Sequence, residues 1–450
     1  MAVPPAGKRP HDITVFGCTG NAGRAVAYQA IRSAATKKQS NVVVALSGRN
    51  RDKVEKVLEG IRDELLRSEG ITAHDTKVEI IIADASDEQS MLKLAKSTAI
   101  LVSCAGPYGR YGEAAVKACV EGGAHYLDIT GEVAWVERMI SDYGSKAEEA
   151  GVTLCPFSGY DCVPAELGMW LVGKALEMEG NDAKLGELSL SFRGTKGGFP
   201  RGTLETLLDG IDGKGPQRKE GDPRFYPKEY RGTAKAALSL SNFVLPRYQL
   251  GTFTGPNFMS TINVPVLCRA APILGFPSDL TISDRSVVSG RPSLFNGYGL
   301  FPTQIYILTL FVGGMALALP PFRWWLRNKL KTYSFNGDPT GKVFLDAHGR
   351  SVCKKTSATA NCVFPGDAGI YATGLFAVGV ANALLEATKA DSKYPLPLAG
   401  FHTPIAALNG CRQGLLVDHL TDLGAEIKVE VVPEGGAARE VDATKLRSKL

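Results

Sequence analysis

An α/β architecture is predicted for this chain, with a doubly wound parallel sheet over residues 1–165 and a second α+β domain over 166–400. The second domain carries a hydrophobic insertion near 292–322, and residues 401–450 are expected to return to the first domain. Three observations predict this. Short apolar runs alternate with amphipathic stretches up to about residue 155, a glycine turn follows the first run directly, and the second half changes to alternating patterns around one long uncharged stretch.

The bulk properties suit two domains. The chain has 450 residues, 44% of them apolar and 22% charged, which is enough to bury a large core. Lys and Arg total 51 against 46 Asp and Glu, without a basic block, so nucleic acid is not expected as a partner. The nine cysteines form no CxxC pair and no Cys/His cluster, so they read as free thiols with no metal site.

Asp12-Ile-Thr-Val-Phe16 is an apolar run fit for a buried parallel strand. Gly17-Cys-Thr19-Gly20-Asn21-Ala-Gly23 follows, and a helix is expected from Arg24 to Ser33. Strand, glycine turn and helix in that order are what give a GxxGxxG motif meaning. Gly17 makes the turn, Gly20 admits a pyrophosphate to the backbone, and Gly23 lets helix and strand pack closely. The helix N-terminus then offers its unpaired N–H groups to the anion. This is the plan of a Rossmann-type nucleotide site.

The second strand, Val42 to Leu46, runs into Ser47-Gly48-Arg49. A site for NAD(H) would usually place an acid there to hold the ribose hydroxyls. A hydroxyl and a guanidinium instead suit a 2′-phosphate, so NADP(H) is the predicted cofactor. Arg51 to Ser68 reads as an amphipathic helix, with Val54, Val57, Leu58, Ile61 and Leu65 on one face. Val78 to Ala83 is the third strand, with Asp84 at its end as an adenine contact. Ile100 to Cys104 is the fourth, opening into the small-residue loop Ala105-Gly106-Pro107. A helix over 114–121, a strand over 125–128, a further helix and the strand 152–155 bring the count to six strands.

Proton donors for hydride chemistry should stand near the fourth and fifth strand ends. The candidates are Tyr108, Asp128, Glu132, Tyr160 and Asp161, with His402 reaching in from the second domain. Tyr160 or Tyr108 would donate the proton and Asp161 would orient or tune it. The Tyr/Lys pair of short-chain dehydrogenases is excluded. No tyrosine has a lysine four residues on, and Tyr143 with Lys146 falls one short.

Several stretches together carry a family resemblance: 17–23, Ser-Gly-Arg at 47–49, Cys-Ala-Gly-Pro-Tyr-Gly at 104–109, Ala118 to Glu132, Ser158 to Gly168, Gly366 to Gly374, and Gly400 to Pro404. The chain resembles the saccharopine dehydrogenase-like oxidoreductases, the clade that also contains mycobacterial trans-acting enoyl reductases. The resemblance implies an NADP(H)-dependent reductase acting on a lipid-like carbonyl or enoyl group, or on an imine. An imine substrate of the saccharopine kind needs cations for its carboxylates, and Arg193, Arg201 and Arg285 are the candidates. The alternative is a nucleotide-binding scaffold or sensor without catalysis.

In the second half, helices are expected over 164–177, 201–211 and 368–387, and strand-like alternation over 188–192, 278–288 and 354–364. Gly213 to Gly232 reads as a loop. The helix 413–423 and the strand 426–432 are expected to rejoin the first domain. Pro292 to Phe322 has no charged residue. Its apolar heart, Ile305 to Leu319, is expected to break at Gly313-Gly314 and so to fall short of the ~20 residues a span needs. Trp324, Trp325 and the cations Arg323, Arg327, Lys329 and Lys331 suit an interfacial anchor on a membrane or lipid droplet. The family resemblance points the same way, since relatives are linked to lipid droplets. The alternatives are burial in the core or in a homodimer interface, or a true span. Ser448-Lys449-Leu450 reads as an address for the peroxisomal import receptor, which predicts a peroxisome or the related glycosome.

Overall fold

The computed structural model describes residues 9–36, 42–73, 76–180, 183–194, 197–213, 225–288, 299–389, 395–409, 411 and 414–446. Ser448-Lys449-Leu450 and residues 292–298 of the uncharged stretch lie outside them.

The first domain alternates strand and helix throughout. It runs β1 (His11–Phe16), α1 (Asn21–Ala35), β2 (Val44–Gly48), α2 (Arg51–Glu69), β3 (Val78–Ile82) and α3 (Glu88–Ser97). It continues with β4 (Thr98–Ser103), α4 (Tyr108–Gly122), β5 (His125–Asp128), α5 (Val133–Ala150) and β6 (Thr153–Cys155). The central strands are buried on both faces, as a parallel sheet covered by helices requires. The long helix α6 (Val163–Glu177) leads out of it and is buried almost all round.

The second domain holds β7 (Leu185–Gly194), α7 (Arg201–Ile211), α8 (Arg231–Ala237), α9 (Leu240–Val244), β8 (Arg247–Gln249) and β9 (Thr252–Pro256). Then follow α10 (Ser260–Ile273), β10 (Thr281–Ser286), α11 (Leu300–Ala318), α12 (Pro320–Leu330), β11 (Lys342–Ser351) and β12 (Ser357–Pro365). The chain ends through α13 (Tyr371–Ala387), β13 (Gly400–Phe401), α14 (Pro404–Ala407), α15 (Leu415–Asp422), β14 (Glu426–Val432) and β15 (Arg439–Val441).

The first sheet has the order β13-β6-β5-β4-β1-β2-β3 and is parallel throughout. The order reverses between β1 and β4, and that switch opens the crevice where ligands of such sheets bind. A seventh strand joins the six expected: Gly400 and Phe401 pair with Thr153 and Leu154. Two residues are too few to leave a periodic signal in sequence.

The eight strands of the second sheet are ordered β15-β14-β12-β11-β7-β10-β9-β8. β14 belongs here, with Val429 opposite Ala360, and does not return to the first sheet as expected. Its burial alternates, one face covered and one in solvent, which suits an antiparallel sheet with one open face and not a strand buried on both faces. The link back to the first domain is made instead by β13, which pairs with β6, and by α13, which packs on α1 with Gly374 against the Ala25 backbone.

Glu166 of α6 pins the last crossover. Its carboxylate is fully buried and accepts from the Thr403 hydroxyl (2.5 Å), Ile405 N (3.2 Å) and Ala406 N (3.0 Å). Burial pushes it up to about 7. A carboxyl raised on folding gives stability that is complete below its unfolded value of about 4.3 and is lost as pH rises through the folded value. Glu166→Gln is therefore expected to flatten the fall in melting temperature between about pH 4.5 and 7, measured by calorimetry across that range.

The uncharged stretch departs from expectation. α11 passes through Gly313-Gly314 without a break, and its 19 residues give a helix long and apolar enough to cross a membrane by length and composition. Of these, only Thr303 is buried. Thr303 and Tyr306 donate to the β9 carbonyls of Phe253 (3.2 Å) and Pro256 (3.2 Å), which seats the base of the helix. Beyond it Ile305, Leu308 and Phe311 are 67%, 61% and 59% exposed. Burial within this chain's own core is thereby excluded.

Candidate active site

The glycine turn is built as its spacing requires. Gly17 and Cys18 donate their N–H groups to the Ser47 carbonyl (2.9 and 3.3 Å), which ties the turn to β2. A Cβ on Gly23 would sit 2.2 Å from the Gly17 carbonyl oxygen, so only glycine fits there. Gly20 caps α1 with no side-chain bond, and the first turn holds no acid. The N–H groups of that turn are left for an anion.

Ser47 and Asn21 differ from expectation. Ser47 is fully buried, and its hydroxyl is sealed in the interior without a partner among the described residues, because its place in β2 turns it away from solvent. The Asn21 amide donates to the Phe335 carbonyl at 2.6 Å, so its side chain clasps the second domain. Only its backbone N–H remains for a phosphate. Arg49 is exposed at the end of β2, with Thr19 beside Gly48. Asp84 turns its carboxylate to Ser86, whose hydroxyl (2.6 Å) and N–H (3.0 Å) hold it below the usual range, helped by the Arg49 charge. The Ala105-Gly106-Pro107 loop lies against Gly17 at the switch point.

These residues fit NADP(H). The backbone of 20–23 could hold the pyrophosphate, Arg49 with Thr19 the 2′-phosphate, and Ala105 to Pro107 the wall towards the nicotinamide. The unanswered helix terminus and the bare backbone at Gly20, where the nearest atom to a Cβ would be Gly17 O at 3.6 Å, are the features a bound dinucleotide needs.

The expected proton donors separate by their partners. Tyr108 is buried, donates its hydroxyl to the Ser103 carbonyl (2.9 Å) and accepts from Ile129 N (3.3 Å). It is committed to the protein's own backbone, and the expectation that it donates a proton to substrate does not fit. Glu132 accepts from the N–H groups of Tyr108 (2.7 Å) and Gly109 (2.9 Å), capping α4. Asp128 is fully buried and accepts from Tyr126 Oη (2.8 Å), Thr130 N (3.0 Å) and Phe157 N (3.1 Å). Burial pushes it up to about 7, and its work is to hold the loop after β6. His402 bonds the Ala399 carbonyl (2.9 Å), with Arg269 and Glu148 as its charged neighbours.

Tyr160 and Asp161 are different. They lie on a loop bracketed by Phe157 at φ 63° and Cys162 at φ 99°, two side chains in backbone regions that cost of order 1–3 kcal/mol each. The strained loop presents both residues, half-buried, at the carboxyl edge of the sheet. Tyr160 N donates to Thr373 Oγ1 (3.3 Å), and its ring meets Phe192 edge-on at 6.2 Å. Among the described residues neither the Tyr160 hydroxyl nor the Asp161 carboxylate has a hydrogen-bond partner. Burial alone pushes Asp161 up to about 7, while burial, then Asp161 and Asp284, raise Tyr160. Asp284 of β10 is itself held by Asn257 (2.8 Å) and Asn263 (3.0 Å) and pushed up by burial to about 6.

The three arginines do not converge on this loop. Arg285 is buried and satisfies backbone carbonyls, among them Thr254 (2.8 Å) and Leu245 (2.7 Å). Arg193 stacks 4.0 Å over Phe344, and Arg201 pairs with Glu205 at 2.7 Å. Asp367, within the Gly366 to Gly374 stretch, is a structural residue that sequence alone did not single out. There Asp367, fully buried, gathers the N–H groups of Asp338 (2.9 Å), Gly369 (3.1 Å) and Ile370 (3.1 Å), and so sets the head of α13 and Thr373. The glycines flanking one acid were the available signal.

Fold and crevice define a two-domain protein of the nicotinamide-dinucleotide-binding class. Residues 13–155 match the family model of the saccharopine dehydrogenase NADP binding domain. The chain is 34% identical over 214 residues to a saccharopine dehydrogenase-like oxidoreductase of Rattus norvegicus, covering 47% of this chain and 48% of the relative. A lipid droplet localized protein of Caenorhabditis elegans is 33% identical over 232 residues, 50% of this chain and 51% of the relative. A Mycobacterium tuberculosis protein that carries the name of a trans-acting enoyl reductase is 30% identical over 201 residues, 45% of this chain and 44% of that one. The chain thus spans about half the length of the curated relatives it matches.

Proposed function

We propose that this chain is an NADP(H)-dependent oxidoreductase that reduces a carbonyl or enoyl group of a lipid-like substrate. The observation that carries the reading is the unpartnered Tyr160–Asp161 pair on its strained loop beside a nucleotide crevice. A carboxyl pushed up to about 7 keeps its proton in about half the molecules at neutral pH and gives it up readily, which is what a general acid needs. Bound in the crevice, reduced nicotinamide would supply the hydride. Asp161 then delivers a proton to the carbonyl oxygen, or to the α-carbon of an enoyl group, and the Tyr160 hydroxyl holds the oxygen in place.

A lipid-like substrate is favoured over a polyanionic imine because Arg193, Arg201 and Arg285 are each engaged elsewhere. It is also favoured by α11, whose base bears Tyr306, one of the groups in electrostatic reach of Tyr160, and whose remainder is exposed apolar surface. We infer that α11 and the indoles of Trp324 and Trp325 rest on a lipid surface from which substrate is drawn. The relative named for lipid droplets supports this placement. Of the four flanking cations, Lys329 and Lys331 are exposed to meet headgroups, whereas Arg323 and Arg327 are taken up by Asp212 and Asp209.

The test is NADPH oxidation with a long-chain α,β-unsaturated aldehyde. Asp161→Asn is expected to lower kcat/KM by about 100-fold or more, and Tyr160→Phe by about 10-fold or more. In the wild type the rate should fall as pH rises past about 7, and the Asn variant should lose that limb. NADPH binding without oxidation by any such acceptor would instead favour the scaffold reading.

A further inference from the structure

α7 lies between the two ends of the crevice. Pro200, the residue before it, sits against Gly369 at the head of α13, and Gly198 lies against Phe335, whose carbonyl holds Asn21 of the glycine turn. At the far end Thr206 reaches Glu132 at 3.4 Å, and Asp209 pairs with Arg110 in the first turn of α4. Eleven helical residues cover about 16 Å, so α7 bridges from the pyrophosphate end to the nicotinamide end of the site.

Its hold is mostly ionic. α7 buries only Leu208 and Asp209. Asp209 is shared between Arg110 of the nucleotide domain and Arg327 of α12, the latter at 3.0 Å. Asp212, just after α7, takes Arg327 (2.7 Å) and Arg323 (2.7 Å). Arg323 also donates to the last carbonyls of α11, Leu317 (2.8 Å) and Ala318 (2.9 Å). A continuous chain of charge-assisted contacts therefore runs from the apolar helix through α12 and α7 to α4. An element with so few buried apolar contacts is one that opens locally at low cost.

We propose that α7 is a strap across the nucleotide crevice, set by Asp209, through which seating of α11 on a lipid surface loosens nucleotide binding. This rests on the lipid-surface reading above. Anionic headgroups compete for Arg327, whose withdrawal from Asp209 frees α7 and opens the crevice. Exchange of oxidised for reduced nucleotide is then fastest where substrate is at hand.

The experiment measures NADPH affinity of the full chain by fluorescence, with and without vesicles of phosphatidylcholine and phosphatidylserine, alongside flotation of protein with the vesicles. Wild-type protein should float, and its Kd for NADPH should rise about fivefold or more on vesicles; by reciprocity, NADPH should weaken vesicle binding by the same factor. Asp209→Asn and Arg327→Gln should still float, bind NADPH more weakly without vesicles, and show no further change when vesicles are added. Flotation with an unchanged wild-type Kd, or a shift that survives both substitutions, overturns the strap alone. Absence of flotation overturns the lipid-surface reading and the strap with it.

Discussion

Gly23→Ala is expected to weaken NADPH binding by about 100-fold or more and to lower the melting temperature by several degrees. The added methyl would meet Gly17 O at 2.2 Å and Gly17 C at 2.9 Å, both backbone atoms of the turn that cradles the pyrophosphate. Neither can give way without moving β1 from the start of α1, and overpacking of that kind costs about 1–3 kcal/mol or more. Gly20→Ala is the contrast. The nearest atom to its Cβ would be Gly17 O at 3.6 Å, so stability should hold while nucleotide affinity falls about tenfold from the methyl standing where the phosphate approaches. Nucleotide titration and thermal melts on the two variants separate folding from binding. Equal losses of stability in both would contradict this account of the turn.

Arg49→Ala is expected to weaken NADPH binding by about 10- to 100-fold and to leave NADH within about twofold, as the loss of one charge-assisted phosphate contact predicts. The effect should be large because Ser47, the other group expected at the 2′-phosphate, is buried and cannot compensate. Asp84 sharpens it. Its carboxylate lies within electrostatic reach of Arg49, and once the guanidinium is gone that negative charge opposes a 2′-phosphate. Parallel fluorescence titrations with NADPH and NADH measure the ratio, and an unchanged ratio would place the 2′-phosphate elsewhere.

Much of the first domain was legible in the chain because its signals are local. A buried parallel strand is a continuous apolar run, an amphipathic helix repeats every three to four residues, and a glycine turn between them marks the phosphate site. β1 to β6, the glycine turn and the exposed Arg49 follow from such patterns. The candidate site was legible only as a set of residue types near strand ends. Tyr108 and Tyr160 look alike in sequence, and so do Asp128 and Asp161. Contacts made far along the chain or after the fold closes divide them: Ser103 and Ile129 engage Tyr108, and Phe157 and Tyr126 engage Asp128. The strained loop at 157–162 leaves the other two without partners. Likewise the pattern of 426–432 gave a strand but not its sheet, since period-two alternation says that one face is buried without saying against what. The hydrophobic stretch was plain from composition, yet whether Gly313-Gly314 breaks it and whether it is covered depend on neighbours that sequence does not name. By itself, then, the sequence determined the elements and the nucleotide turn, because local periodicity and backbone sterics act within a few residues. Tertiary structure alone decided which tyrosine and which carboxylates are free to act and how α7 ties α12 to the crevice, because burial and hydrogen-bond partnership are properties of residues brought together from as far as 213 positions apart.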